Sequence, residues 1–307
     1  MTCRIVAFGG GKGLAASLRA LRTLDADVTA VVTVADDGGS SGRLRATRPL
    51  VPPGDLRKAL IALSDGDAAL RAMFGHRFTG TDELAGHTVG NLVLAGFMET
   101  MADPVAALDA AAALLRVRGR VLPMSTVPLD IEADVEVDGT VGVVKGQHHV
   151  AICDGTVREV RLVPPRPQAC PEVLDAVAAA DWLVFGPGSW YTSVIPHLLV
   201  PELRAAIEVS PARRIVVLNL SDENETAGLS SAGHLAALRN YAPKLSVDVV
   251  LADTGATGEP EAVARAAQSL GARLLLAGVA ESQLTARHDP VALAAALTTV
   301  IRQDEVG

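Results

Sequence analysis

Aromatic side chains are scarce in this sequence: two Trp, two Tyr and five Phe among 307 residues. An interior without rings must be filled by Ala, Leu and Val, which suits buried parallel strands covered by Ala-rich helices. The same shortage removes the stacking platform of a single-strand nucleic-acid groove. A formal net charge of −8 removes the basic excess such a groove needs. No nucleic-acid partner is therefore expected, although positive charge gathered in one pocket would still suit a small phosphorylated ligand. Cysteine is also rare. Cys3, Cys153 and Cys170 are odd in number and far apart, with no CxxC or Cys/His spacing, so neither a metal site nor a redox pair is expected. No segment reaches the roughly 18 apolar residues of a membrane helix. Met1 runs directly toward a strand without a charged stretch and cleavable apolar segment. The expectation is a cytoplasmic protein with reduced thiols and no membrane insertion.

What is abundant is aliphatic. Hydrophobic residues make up 49% of the chain and charged residues 20%, a balance that supports a well-buried core. Arg4 to Phe8 reads as a buried strand, and Leu14, Leu18 and Leu21 then share one helical face. Val28 to Val34 is a β-branched run, so the opening is a βαβ unit. Pro52-Pro53-Gly54-Asp55 leads into a helix with Asp55 as the expected N-cap. A helix is expected after Gly86-His87-Thr88, and Asp103 to Leu115 is Ala-rich and amphipathic. Residues 120–163 alternate in short runs and predict antiparallel hairpins. The α/β pattern resumes with strands at Trp182 to Phe185, Ile215 to Leu220, Ser246 to Leu251 and Arg273 to Leu276. The predicted fold class is α/β: one Rossmann-like, mostly parallel sheet flanked by helices across residues 1–307, with a small antiparallel extension at about 120–163.

Strand-to-helix loops of a parallel sheet emerge on one edge, where ligands bind. Gly9-Gly10-Gly11-Lys12-Gly13-Leu14 comes between a strand and a helix, and residues 11–16 fit the GxGxxA form of the dinucleotide fingerprint. Glycine lets the backbone approach a phosphate, and the helix start supplies N–H donors and a favourable dipole. Phosphate binding is preferred here to a bare βα turn; Lys12 is not followed by Ser or Thr, so the loop is not a Walker A motif. After the second strand, Asp36 is a candidate for ribose or metal binding. Asp37 is equally a metal ligand, with Mg²⁺ the candidate ion, or a solvated acid. Ser40 and Ser41 are candidates to donate to a phosphate or to cap the following segment. His87 and Asn91, four apart, would share a helix face, with Asn91 the better pocket residue and His87 more often structural. Gly186, Gly188 and Ser189 repeat the logic of the first loop. The adjoining Trp190 and Tyr191 are balanced between stacking on a base and packing in the core. Asn219 ends another strand on the same edge, followed by Ser221 and by Glu225, which is equally a ligand contact or a surface residue.

Taken in order, five segments resemble one family: residues 9–14, Thr33 to Leu44 with its Ala-Asp-Asp-Gly-Gly-Ser-Ser-Gly-Arg-Leu core, Pro52 to Arg57, Gly86 to Leu92 and Gly186 to Ser189. The chain is identified as an actinobacterial-type member of the YvcK family of gluconeogenesis factors, within the CofD-like superfamily of 2-phospho-L-lactate transferase. The resemblance implies a Rossmann-like domain that binds UDP-activated sugars such as UDP-N-acetylglucosamine and requires no cofactor. It implies a cytosolic regulator linking carbon metabolism to cell-wall synthesis and cell shape, with cell-wall or signalling proteins as partners and a homo-oligomer admitted. Arg287, in Arg287-His288-Asp289, matches the family's late Arg-His segment and is a candidate diphosphate contact. Three departures stand out. Lys12 replaces the usual Thr, Gly233-His234 replaces Asp-His, and no Tyr occurs near Val263 to Ala267. The alternative is a Mg²⁺-dependent transferase resting on Asp36 and Asp37, which is what the transferase relatives would imply. An NAD-dependent dehydrogenase is a weaker third reading, because no hydride-transfer partner can be named.

Overall fold

The computed structural model describes residues 2–220, 229–282 and 285–303. Seven strands form a parallel sheet in the spatial order Arg273–Ala277, Val249–Asp253, Arg213–Val217, Trp182–Phe185, Cys3–Gly9, Ala26–Val32, Arg120–Pro123. The chain begins in Cys3–Gly9 and winds outward through Ala26–Val32 to Arg120–Pro123. It then crosses to Trp182–Phe185 on the other side and winds outward again. Direction reverses between Cys3–Gly9 and Trp182–Phe185, which pair from Ile5↔Trp182 to Phe8↔Phe185. Such a reversal opens a crevice at the carboxyl ends of the two strands.

The strands are short and almost wholly apolar because helices cover both faces. Ile5, Val6, Ala7 and Phe8 are buried, as are Val31, Val32, Leu183 and Val184. Two of the rings meet at the reversal: Phe8 stacks on Phe185 at 4.9 Å, and His197 meets the edge of Phe8 at 5.5 Å. Leu14, Leu18 and Leu21 bury the expected face of helix Gly11–Leu21.

A three-stranded antiparallel sheet, ordered Thr140–Lys145, Asp130–Val137, Thr156–Val163, makes up the extension. Its predicted start at 120 is corrected, because Arg120–Pro123 pairs in parallel with Thr29–Val32 and closes the main sheet. Four residues carry too short a pattern to reveal which sheet they join. A second correction concerns Asp55. Pro53, with its preset φ and missing N–H, takes the first helical position of Pro53–Leu63. Asp55 therefore falls inside the first turn. Among the described residues no helix is long and apolar enough to cross a membrane.

Candidate functional site

The two glycine loops meet over the crevice, and each glycine there has its own cause. Gly11 adopts φ +60 with open space where a side chain would be, so the backbone is bare toward the cleft. Gly13 faces the other loop: a Cβ there would strike the Pro187 carbonyl and come within 2.5 Å of Gly188 Cα. Gly9 closes the first strand and Leu14 belongs to the core, so these two support the loop from behind.

The second loop is held by neighbours on both sides. Ser17 Oγ donates to the Gly186 carbonyl at 2.8 Å. Asn219 accepts from Gly188 N at 2.8 Å and donates to Gly188 O at 3.0 Å, so both ends of its amide are spent on one residue. Ser189 Oγ pairs with Thr192 Oγ1 at 2.5 Å. Trp190 opens a π-helical turn, is fully enclosed, and stacks on His234 at 5.2 Å; Tyr191 is buried too. That resolves the balanced reading of this pair toward core packing. It also gives His234 a structural partner.

Between the loops lies a cavity of about 710 Å³, within the roughly 300–1,000 Å³ of small-molecule sites. Gly10, Gly11, Lys12, Gly13, Gly188, Ser189, Asn219 and Arg287 from the predicted set line it. Arg19 and Lys58 add two cations that sequence reasoning missed, and among the described residues Glu281 is the one acid in the lining. Lys12 and Arg19 are seven apart, two turns along one helix face, so the spacing held the signal. Four cations around one cavity, in a chain of net charge −8, make the local positive field that composition left open.

The adjacent aspartates separate. Asp37 turns to the extension, where its Oδ1 accepts from His148 N at 2.8 Å. Asp36 turns inward: Oδ1 accepts from Gly38 N at 3.0 Å, and a Cβ on Gly54 would come within 2.5 Å of Oδ2. Burial first, then the nearby Asp55 carboxylate, hold Asp36 above the ordinary carboxylate value, against hydrogen bonding by Ser41 and Gly38 and the charge of Lys58. Asp55 is buried and bound to Lys58 Nζ at 2.8 Å. The expected Asp36–Asp37 pair is therefore corrected to Asp36 with Asp55. The predicted N-cap had hidden it. No cluster of three or more His, Cys, Asp or Glu able to hold a metal forms among the described residues.

Ser40 and Ser41 join loops. Ser40 Oγ meets His87 Nδ1 at 3.0 Å, and Ser41 Oγ accepts from Gly54 N at 3.0 Å. His87 and Asn91 do not share a helix, because Val89 is the first helical residue and Thr88 its cap; Asn91 alone is helical, and buried. Gly186 takes φ +74 beneath the cavity rather than in its wall. Ser221 and Glu225 lie outside the described residues.

Comparison with known proteins bears on the family and the fold. The profile of the family described as 2-phospho-L-lactate transferase CofD matches residues 5–305. The "Putative gluconeogenesis factor" of Mycobacterium tuberculosis is 50% identical over 315 residues, covering 99% of this chain and 92% of that protein. The "Gluconeogenesis factor" of Bacillus subtilis is 38% identical over 252 residues, covering 82% of this chain and 78% of that protein. A crystal structure of a UPF0052 family member from Bacillus halodurans matches with a TM-score of 0.87 at 35% identity, covering 97% of this chain and 99% of that one.

Proposed function

This chain belongs to the 2-phospho-L-lactate transferase CofD family and, within it, to the gluconeogenesis factors, and we propose that it is a regulator that binds a UDP-sugar of the UDP-N-acetylglucosamine kind. The observation that carries the reading is the cationic cavity between the two glycine loops. A diphosphate fits the bare backbone at Gly11 and the positive end of helix Gly11–Leu21, with Lys12 and Arg287 supplying charge from two sides. Lys12 stands where the family usually carries Thr, and its longer cation reaches the place a diphosphate needs. In this reading the ligand reports the supply of cell-wall precursor, and the protein passes that signal to cell-wall or signalling partners in the cytoplasm. Isothermal titration against UDP-N-acetylglucosamine, UDP-glucose, NAD and GDP tests it. Binding of a UDP-sugar is expected, and binding of neither UDP-sugar sinks it.

A second reading rests on the Asp36–Asp55 pair. Mg²⁺ is commonly held by one or two carboxylates together with substrate phosphates. These two acids beside a phosphate-sized cavity fit that donor set. When bound, the ion would neutralise phosphate charge, and Lys58 holds the Asp55 carboxylate in place at 2.8 Å. Under this reading Asp55→Asn abolishes metal-dependent turnover of a nucleotide-linked phospho donor while nucleotide binding persists. Absence of any metal-dependent product counts against it.

A further inference from the structure

Arg57 points to a second ligand site, separate from the glycine-loop cavity. It keeps only 7% of its surface exposed, its Nε is fully enclosed without a hydrogen-bond partner, and no ion pair reaches it among the described residues. Two acids attract it, Asp55 and Asp36; neither forms an ion pair with it among the described residues, and Asp55 is already bound to Lys58 at 2.8 Å. A buried guanidinium left unpaired is among the most costly arrangements a protein can hold.

Its surroundings deepen the deficit. The Arg57 side chain runs along the first turn of helix Val89–Met101, where a Cβ on Gly90 would come within 2.8 Å of Arg57 Cδ. Two further groups of that turn are buried and unpartnered: Thr88 Oγ1 and Asn91 Oδ1. Positive charge from Arg43 and Arg77 stands beside the two acids. Burial and then Arg77 push the Arg57 guanidinium below its ordinary value, and burial, Arg43 and Arg77 do the same to His87. Among the described residues Arg43 and Arg77, both exposed, hydrogen-bond to the carbonyls of Glu83, Ala85 and Gly86 and form no ion pair. None of these groups lines the cavity between the glycine loops.

We propose that Arg57, Thr88 and Asn91 form a subsite for a small hydroxylated oxyanion, with the anion on Arg57 and a ligand hydroxyl on Asn91 and Thr88. A planar fork of N–H donors suits two oxygens of a phosphate or carboxylate. The Asn91 acceptor calls for an O–H donor, which a bare inorganic anion supplies poorly. A phosphorylated polyol and a hydroxy acid share this chemistry. The proposal is independent of which nucleotide enters the other cavity.

The test follows the Arg57 Nε–Hε resonance of the full chain during titration with glycerol 3-phosphate, malate, inorganic phosphate and chloride at matched ionic strength. Arg57→Gln assigns the peak, and Arg57→Lys supplies a second assignment. A saturable shift is expected with glycerol 3-phosphate or malate, the stronger of the two identifying the anion. Lys12→Met leaves this shift in place, Arg57→Lys, which lacks the resonance and is read by calorimetry, weakens the binding about tenfold or more as two-point contact is lost, and Asn91→Ala weakens the hydroxylated ligands more than inorganic phosphate. No saturable shift, a shift equal to that with chloride, or loss of the shift in Lys12→Met overturns the proposal. The wild-type titration decides the matter even where a variant fails to fold.

Discussion

Gly13 and Gly188 meet backbone to backbone, so closely that a methyl group on Gly13 would lie 2.5 Å from Gly188 Cα. The two loops that straddle the strand reversal are thus one packed unit. Gly11, two residues earlier, has open space before it. Glycines that look alike in the sequence therefore do different work: one lets loops touch, the other bares the backbone to a ligand.

Substitution separates these roles. Gly11→Ala forces an alanine to φ +60 and is expected to cost about 1–2 kcal/mol without a steric clash. Gly13→Ala meets backbone that cannot swing aside, so its cost is expected to exceed the roughly 1–3 kcal/mol of ordinary overpacking. Urea unfolding of both variants checks the order, and a milder Gly13→Ala would count against the packed unit.

The charge of the cavity is expected to show in binding. Lys12→Met and Arg287→Met should each weaken UDP-sugar affinity about tenfold to a hundredfold, the scale of a charge-assisted hydrogen bond. Titration at two salt concentrations should find a shallower salt dependence in both variants. Unchanged affinity in both would remove the diphosphate from this cavity.

Asp36 and Asp37 should differ despite being neighbours. Asp36 has a folded value above its unfolded 3.8, so the native state holds that proton more tightly than the unfolded chain. The ionised group therefore works against folding, and the penalty grows as pH rises above 3.8 through the folded value. Asp36→Asn is expected to raise Tm at pH 7, with the gain shrinking as pH falls toward 3.8. Asp37→Asn keeps an acceptor for His148 N and should stay within about 0.5 kcal/mol of wild type. Thermal melts across pH 4 to 7 compare them.

His197 gives an acid limit. It is enclosed between the carbonyls of Val194 and Val31, and burial pushes it from 6.5 down to about 4. A depressed histidine leaves stability intact above 6.5 and loses it as pH falls, because the unfolded chain takes up a proton that the native state refuses. The gap corresponds to roughly 3 kcal/mol by pH 4. His197→Gln should flatten the pH dependence of unfolding between pH 6.5 and 4, and an unchanged slope would assign acid sensitivity elsewhere.

Much of this was readable from residue order. The β-branched run Val28 to Val34 marked the strand Ala26–Val32, an apolar run marked Trp182–Phe185, and strand followed by glycine marked both loops. Relations made by the third dimension were not readable. Asp55 looked like a cap because Asp commonly begins helices, yet Pro53 holds that start and turns Asp55 toward Asp36. Trp190 beside a glycine loop suited a ligand as well as a core, and only the position of His234, forty-four residues later in the chain, decides between them. Arg57 lay within a quoted motif, but its lack of a partner is a property of its surroundings rather than its spacing.

The short helix Gln147–Ala151 touches both sides of the cleft. His148 N is held by Asp37 from one loop, and Gln147 Nε2 donates to Thr192 O in the turn after the other, at 3.1 Å. It is a buckle whose two prongs sit in the two halves of the strand reversal. If the halves shift against each other, the buckle must tilt, and the three-stranded sheet fastened to it tilts as well. The outer strand Thr140–Lys145 belongs to that sheet, so the two bonds of the buckle tie its position to both halves of the reversal.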